Sequence, residues 1–383
     1  MHIALTVNYS PWSAYGGGGQ RSTHSLACAL GRAGHEVDVV YTRPPWERVS
    51  VPPSLPYRVR WATLAATRSR RSAWLRPLSS VSVARTLASL GADVVHANGE
   101  EAALVAMHRE VFGVPFVVTP RYPSFPSGMR DGSWRRAPLR RLGNFLIHGK
   151  YAALGVALAG ADRACPTSQD SARLVQEVYG VRPRRVRVVP NGVEQVFFDR
   201  AWRPPEKERL LFFGRFAPEK GVHELVEALG ALPDPPPTTF VGRGPSLRKL
   251  QARIEALHLS DRVDFRPWQG VEALAETIAQ ASMVVLPSRE ESFGNTVAEA
   301  MAVGAPIVTT SSGSLPELVE HERTALMTPA KDPEQLAMAI DRLRIDTALA
   351  QRLGAAARDD AERRFSWDQV AAAYVRVYGE IPS

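Results

Sequence analysis

The chain predicts an α/β protein of two doubly wound domains, on three observations. Short apolar runs rich in β-branched residues alternate with helical segments along most of its length, the order that parallel sheets with crossover helices require. At 383 residues it is too long for one ordinary core and suits two domains of roughly 190 residues. The alternation also restarts: the turn signal Pro190-Asn191-Gly192-Val193 and a Trp- and Pro-rich stretch at 201–205 precede a fresh strand.

In the first half, strands are expected at 2–7, 36–41, 57–61, 94–96, 116–119, 163–166 and 186–189. Helices are expected at 20–33, 81–90, 102–111, 138–160 and 168–179. The second half opens with a strand at 210–214 and a helix at 221–229. Strands at 238–241, 263–265 and 283–286 follow, each with a helix after it, and 233–237 is a stiff Pro-rich connection. A helix at 296–303, stopped by Gly304 and Pro306, leads to a strand at 306–310. In the tail, Ser366 is placed to cap a last helix. The apolar stripe of that helix, Val370, Tyr374, Val377 and Tyr378, demands a partner surface.

Hydrophobic and charged fractions of 45% and 22% are those of a globular enzyme. The opening residues read as a buried strand rather than a secretory leader, and the apolar stretch at 151–161 is too short to span a bilayer. Cys28 and Cys165 sit at core-facing positions and form neither a disulfide framework nor a metal pattern. A cytoplasmic location is the default expectation. Net charge is +8 but unevenly spread: residues 1–190 carry 25 Lys and Arg against 11 Asp and Glu, and the remainder 22 against 28. Arg68, Arg70, Arg71 and Arg76 form one basic cluster. Arg121, Arg130, Arg135, Arg136, Arg140 and Arg141 form another, interleaved with Tyr122, Phe125, Trp134 and Phe145. Such surfaces suit an anionic acceptor or the anionic inner face of a membrane, or are simply solvated. No recognised motif supports nucleic acid.

The densest chemistry lies between Pro287 and Val319, PSREESFGNTVAEAMAVGAPIVTTSSGSLPELV. Glu291 and Glu299 stand eight residues apart, the first in the loop after a buried strand and the second about two turns into a helix. Ser292, Phe293, Gly294 and Asn295 offer backbone N–H groups near that helix N-terminus, suited to an oxyanion or a sugar hydroxyl. A second segment, Gly214-Arg215-Phe216-Ala217-Pro218-Glu219-Lys220-Gly221, places two cations after a strand and before a helix. Arg grips phosphate oxygens bidentately and Lys adds a compact charge. Both fit a leaving pyrophosphate whose negative charge grows in the transition state.

In these two strings the chain resembles the retaining, sugar-nucleotide-dependent glycosyltransferases of family 4, whose hallmarks are E-x7-E and G-R-x4-K-G. The resemblance spans nearly the whole chain and is strongest over 184–319. It implies two facing Rossmann-like domains, the GT-B arrangement, with the active site in the interdomain cleft. The acceptor-binding domain would be 1–193, joined by the helix at 366–383, and the nucleotide-sugar domain 194–365. Arg215 and Lys220 would bind the donor diphosphate, Glu299 the ribose hydroxyls and Glu291 the transferred sugar. The backbone of 293–295 would meet that sugar and its phosphate.

Other segments match less fully. Gly16 to Gly19, before Gln20, open a helix after the first strand, so Gly17, Gly18 and Gly19 read as a cleft loop or a flexible turn. A dinucleotide loop fails, since G-x-G-x-x-G is broken at Arg21 and Ser22 and no acidic residue ends the second strand. His96 resembles the first His of the family's H-x-H strand, with Asn98 in place of the second; it serves either the acceptor side or core hydrogen bonding. Arg121 stands where many members carry a cleft His and favours an anionic acceptor. Gly242 and Gly244 resemble a V-G-x-G-P turn beside the nucleobase, which a plain βα turn explains equally well. Trp268 is either a wall of the base pocket or core. No D-x-D triplet and no metal-ligand spacing occur, so no metal and no cofactor are expected beyond the nucleotide diphosphate sugar.

The implied reaction moves a sugar from that donor to an acceptor hydroxyl with retention, in polysaccharide, glycolipid or other glycoconjugate synthesis. Its acceptor would be a sugar, a lipid-linked sugar or a small molecule. The alternatives are a sugar-nucleotide epimerase on the same architecture and a nucleotide-sugar-binding protein without turnover. Arg121→Ala is expected to raise the acceptor Michaelis constant; an unchanged constant in initial-rate measurements removes Arg121 from the acceptor site.

Overall fold

The computed structural model describes residues 1–13, 18–63, 76–99, 101–120 and 149–382. It divides into two compact units, Met1–Gly192 with Trp367–Ser383, and Val193–Ser366. Each contains a six-stranded parallel sheet among the described residues.

The first unit holds strands β1 (His2–Asn8), β2 (Glu36–Arg43), β3 (Arg58–Thr63), β4 (Val94–Asn98), β5 (Phe116–Thr119) and β6 (Arg163–Ala164). Its helices are α1 (Gly18–Arg32), α2 (Arg76–Ala88), α3 (Glu101–Ala106), α4 (Arg109–Phe112), α5 (Gly149–Gly160) and α6 (Gln169–Tyr179). The sheet order is β3-β2-β1-β4-β5-β6, so the chain reverses direction between β1 and β4. Alternate residues of each strand feed opposite faces. Ala4, Val40, Val95 and Val118 pack with Val83, Leu158 and Val175 of α2, α5 and α6. Leu5, Val39, Val94 and Val117 pack on the other side with Leu26 and Leu30 of α1. The last helix completes that second face.

The second unit holds β7 (Leu210–Arg215), β8 (Thr238–Arg243), β9 (Val263–Arg266), β10 (Met283–Leu286), β11 (Ile307–Thr310) and β12 (Leu326–Thr328), in the order β12-β11-β10-β7-β8-β9. Its helices are α7 (Gln195–Phe198), α8 (Val222–Ala231), α9 (Leu247–Ala256), α10 (Val271–Ala279), α11 (Asn295–Val303), α12 (Leu315–Leu318), α13 (Pro333–Ile345) and α14 (Thr347–Phe365). Here the reversal falls between β7 and β10. α15 (Trp367–Gly379) then belongs to the first unit, where Val370, Tyr374, Val377 and Tyr378 are buried in the α1 face of the sheet. The unpartnered stripe thus has its surface.

Several elements differ from the sequence reading. The strand expected at 186–189 is only a bridge beside β6. Arg187 N reaches Ala164 O and Val189 N reaches Pro166 O, but Pro166 has no N–H to return. The helix expected at 102–111 breaks at Met107 and His108, and Arg109 turns to the carbonyl of Gly160 and the carboxylate of Asp162. The first part of the helix expected at 138–160 lies outside the described residues, which show it from Gly149. β12, α13 and α14 were not anticipated. Asp332 and Asp346, whose side chains accept from Gln335 N and Leu349 N, cap those two helices.

One buried charge sets the acid behaviour of the first unit. Asp38 is fully buried in β2 and bonded by His2, Arg58 and Arg60. Burial alone would raise its carboxyl, but those bonds and the Arg58 charge outweigh it and hold the pKa at about 2. The unfolded chain therefore binds the proton more tightly. This contribution is complete above about pH 4 and is lost as the pH falls through about 2. Asp38→Asn is expected to flatten the acid limb of stability measured by urea unfolding; an unchanged limb removes Asp38 as its cause.

Candidate functional site

The second unit builds the site from loops at the carboxyl ends of adjacent strands β8, β7, β10 and β11. This is the switch point of its sheet, where the chain leaves β7 on both sides and ligands of open α/β sheets bind. After β7, Phe216 is buried against Phe212, Phe240 and Phe265, and its N–H bonds the Arg243 carbonyl. With Phe216 anchored inward, Arg215 is left exposed, in an ion pair with Glu219. A single 3-10 turn, Pro218–Lys220, then ends at Gly221 in the left-handed region, φ 66°. A Cβ there would lie 1.8 Å from the Pro287 carbonyl oxygen, so only glycine lets the β7 loop close on the β10 loop. Arg289 N–H, from the β10 loop, donates to Glu219 O at 2.9 Å.

That closure joins two of the anticipated side chains. Lys220 Nζ donates to Glu291 Oε1 at 2.5 Å, although the two are 71 residues apart. Glu291 is 4% exposed, and Ser288 Oγ donates to the same oxygen at 2.9 Å. Its carbonyl accepts from Ser314 N–H at 3.2 Å and from Ser314 Oγ at 3.3 Å, so the β11 loop holds the Glu291 backbone. Beside it, the buried Glu224 of α8 pairs with Arg289. Two ion pairs, Lys220–Glu291 and Arg289–Glu224, thus join the segments after β7 to the β10 loop.

Beyond Glu291 the loop enters α11. Phe293 is buried edge-on against Phe365, 5.5 Å between centroids, which fixes its backbone and turns its ring into the core. Gly294, at φ 94°, precedes the helix, which has no side-chain cap and no acidic residue in its first turn. The positive end of its dipole therefore has no carboxylate within its own first turn. Asn295 is exposed and Ser292 half-buried. Glu299 is half-buried and is the fifth residue of α11, so it lies about one turn into the helix and not two.

The remaining anticipated residues fall differently. Gly242 has φ 150° and its Cβ position lies 1.9 Å from Gly214 O, while that of Gly244 lies 2.3 Å from Phe216 O. Both glycines are demanded by the packing of the β8 loop on the β7 loop, so the plain-turn reading accounts for them. Trp268 is 44% exposed, which corrects its reading as core. In the first unit, Gly18 and Gly19 open α1, and space is clear around Gly18. Gly17 and Arg121 lie outside the described residues, as do Arg68, Arg70, Arg71 and the cluster from Arg121 to Arg141. His96 is fully buried. Its Nδ1 pairs with Tyr378 Oη at 2.7 Å and its Nε2 with Thr119 Oγ1 at 2.8 Å. The side chain locks α15 to the sheet, which corrects its placement on the acceptor side. Cys165, in the same core, has its thiol pushed up to about 12 by burial.

Among the described residues, His2, Glu36 and Asp38 lie close enough to share a cation. Arg58 already bonds both carboxylates, so the cluster is an ion-pair network. Sequence reasoning missed the supports of Glu291, namely Ser288 and Ser314. Ser288 was recoverable, three residues before Glu291 in one loop; Ser314 comes from another strand.

Because Glu291 is buried, removing only the ammonium strands its charge. Lys220→Met is expected to cost about 3 kcal/mol in urea unfolding, and Lys220→Met/Glu291→Gln to recover at least about 1 kcal/mol of it. Strict additivity of the two changes would show that the pair is not coupled.

Two family models match the chain, Glycosyltransferase Family 4 over residues 16–196 and Glycosyl transferases group 1 over residues 195–360. A D-inositol 3-phosphate glycosyltransferase of Streptomyces bingchenggensis is 34% identical over 249 residues, 58% of this chain and 54% of that protein. The match thus spans about half the length of that relative. An uncharacterized glycosyltransferase of Methanocaldococcus jannaschii is 25% identical over 99% of this chain and 98% of its own. Among solved structures, sucrose-phosphate synthase of Thermosynechococcus elongatus aligns with a TM-score of 0.82 at 23% identity, over 99% and 98% of the two chains. The Anabaena protein HepE in complex with UDP aligns with a TM-score of 0.75 at 20% identity over the full length of both. These neighbours share the GT-B fold. With the two models running contiguously from residue 16 to residue 360, the chain belongs to the group 1, family 4 glycosyltransferases.

Proposed function

We propose that the protein transfers a sugar, with retention, from a nucleotide diphosphate sugar to an acceptor hydroxyl, and that Arg215, Lys220, Glu291 and Glu299 form its donor site. The observation that carries this reading is the Lys220–Glu291 pair at the switch point of the second sheet. An ammonium has three donors, and Glu291 accepts one of them, leaving charge and hydrogens for a diphosphate. Arg215 is exposed, and its pair with Glu219 is of the kind worth little in water, so phosphate oxygens readily replace the carboxylate. The uncapped start of α11 adds a positive dipole end.

In the reaction, the bond between the anomeric carbon and the diphosphate oxygen breaks, and its electron pair leaves with the nucleotide. Arg215 and Lys220 stabilise that growing charge. The acceptor oxygen bonds to the anomeric carbon from the same face and passes its proton to the leaving phosphate oxygen. Glu291 orients the transferred sugar and holds Lys220, while Glu299 takes the ribose hydroxyls. The first unit binds the acceptor. Its basic balance and relatives named for D-inositol 3-phosphate support an anionic one. The UDP in HepE puts uridine donors first in a screen.

Nucleotide release measured across donors and acceptors tests this. Arg215→Ala is expected to lower kcat at least about 100-fold, and Glu299→Ala to raise the donor KM about tenfold with a smaller change in kcat. Full activity in both variants, or conversion of the donor sugar with no acceptor present, contradicts the reading.

A further inference from the structure

The first unit carries a second concentration of positive charge that the donor site does not use. A cavity of about 730 Å³ is lined by Arg109, Arg163, Arg182, Arg184, Arg185 and Arg187 together with Asp162. These residues precede or begin β5, β6 and the segment beside β6, so the cavity lies at the amino ends of the strands, opposite the end at which α1 begins. Four of the arginines have structural work. Arg109 bonds Gly160 O and Asp162 at 2.7 Å, and Arg185 bonds Leu158 O at 2.9 Å and Ala161 O, holding the carboxyl end of α5. Arg163 and Arg187 share one carboxylate, Glu380, at 3.9 and 2.7 Å. Arg182 and Arg184 are exposed and make no side-chain hydrogen bond or ion pair with a described residue.

Six guanidiniums therefore meet two carboxylates, Asp162 and Glu380. Burial, together with the Arg109, Arg182 and Arg163 charges, presses the pKa of Arg185 below its usual value despite Asp162. An uncompensated field of this kind in a concave wall attracts counter-ions, and forked guanidiniums match phosphoryl oxygens. We propose that this arginine-lined cavity is a second anion site, separate from the donor site, that binds a phosphoryl group bearing at least two negative charges. The group arrives on a soluble phosphorylated molecule or on the headgroup of an anionic phospholipid. Neither source depends on the donor site proposed above.

The test titrates inorganic pyrophosphate into the full chain by calorimetry and floats the chain on vesicles containing phosphatidic acid, whose phosphomonoester can carry two negative charges. Both use an Arg215→Ala background, to weaken pyrophosphate binding at the donor site. Arg182→Ala/Arg184→Ala touches only exposed groups, and its melting temperature is expected within about 2 °C of the parent. Loss of pyrophosphate affinity by at least about tenfold in that variant supports a soluble ligand. Loss of flotation, with no pyrophosphate bound by either protein, supports a lipid-borne one. If neither readout changes when Arg182 and Arg184 are replaced, the cavity is not an anion site and the proposal fails.

Discussion

The candidate site rests on one ion pair. Lys220 and Glu291 come from loops after β7 and β10, neighbours in the sheet although β8 and β9 separate them in the chain. Burying a carboxylate is expensive, and a buried pair rarely stabilises a protein better than packed apolar groups of the same volume. Its presence at a strand end, with Ser288 and the β11 loop holding Glu291 in place, is better explained by a ligand than by stability. Gly221 and Gly313 serve the same end. Each lets a backbone approach the loop that carries Glu291 more closely than a side chain permits.

Both sheets have the same logic. In each, the chain starts from an inner strand, winds outward, and returns to the other side of that strand, which leaves an opening at its carboxyl end. In the second unit that opening carries charge. In the first it carries the start of α1, with clear space around Gly18. Added to these is a dense core with few charges: the Phe212, Phe216, Phe240 and Phe265 rings lock the β7 loop from beneath and make Arg215 point outward by exclusion.

The strands were legible because fully buried parallel strands are short apolar runs between turn residues, and β5 and β10 fall at 116–119 and 283–286 as read. Where the reading slipped, a local pattern met a tertiary demand. The segment at 186–189 has strand composition, but its neighbour contains Pro166. His96 has the residue type and strand-end position of a ligand, yet Tyr378 and Thr119, 282 and 23 residues away, take both ring nitrogens. Of the site, Arg215, Lys220, Glu291 and Glu299 were readable as two strings with family-like spacing. That Lys220 touches Glu291 was not, because the contact depends on the order of strands rather than on spacing within either string. The arginine cavity was invisible for the same reason, since Arg109 and Arg163 join the 182–187 run only through folding.

The most direct test of the donor-site account is a crystal structure with a bound nucleoside diphosphate. The account predicts diphosphate oxygens within hydrogen-bond distance, about 2.7–3.2 Å, of Lys220 Nζ and of the Arg215 guanidinium, with the ribose against Glu299. A diphosphate bound elsewhere on the second unit, with Lys220 still turned only to Glu291, would contradict it.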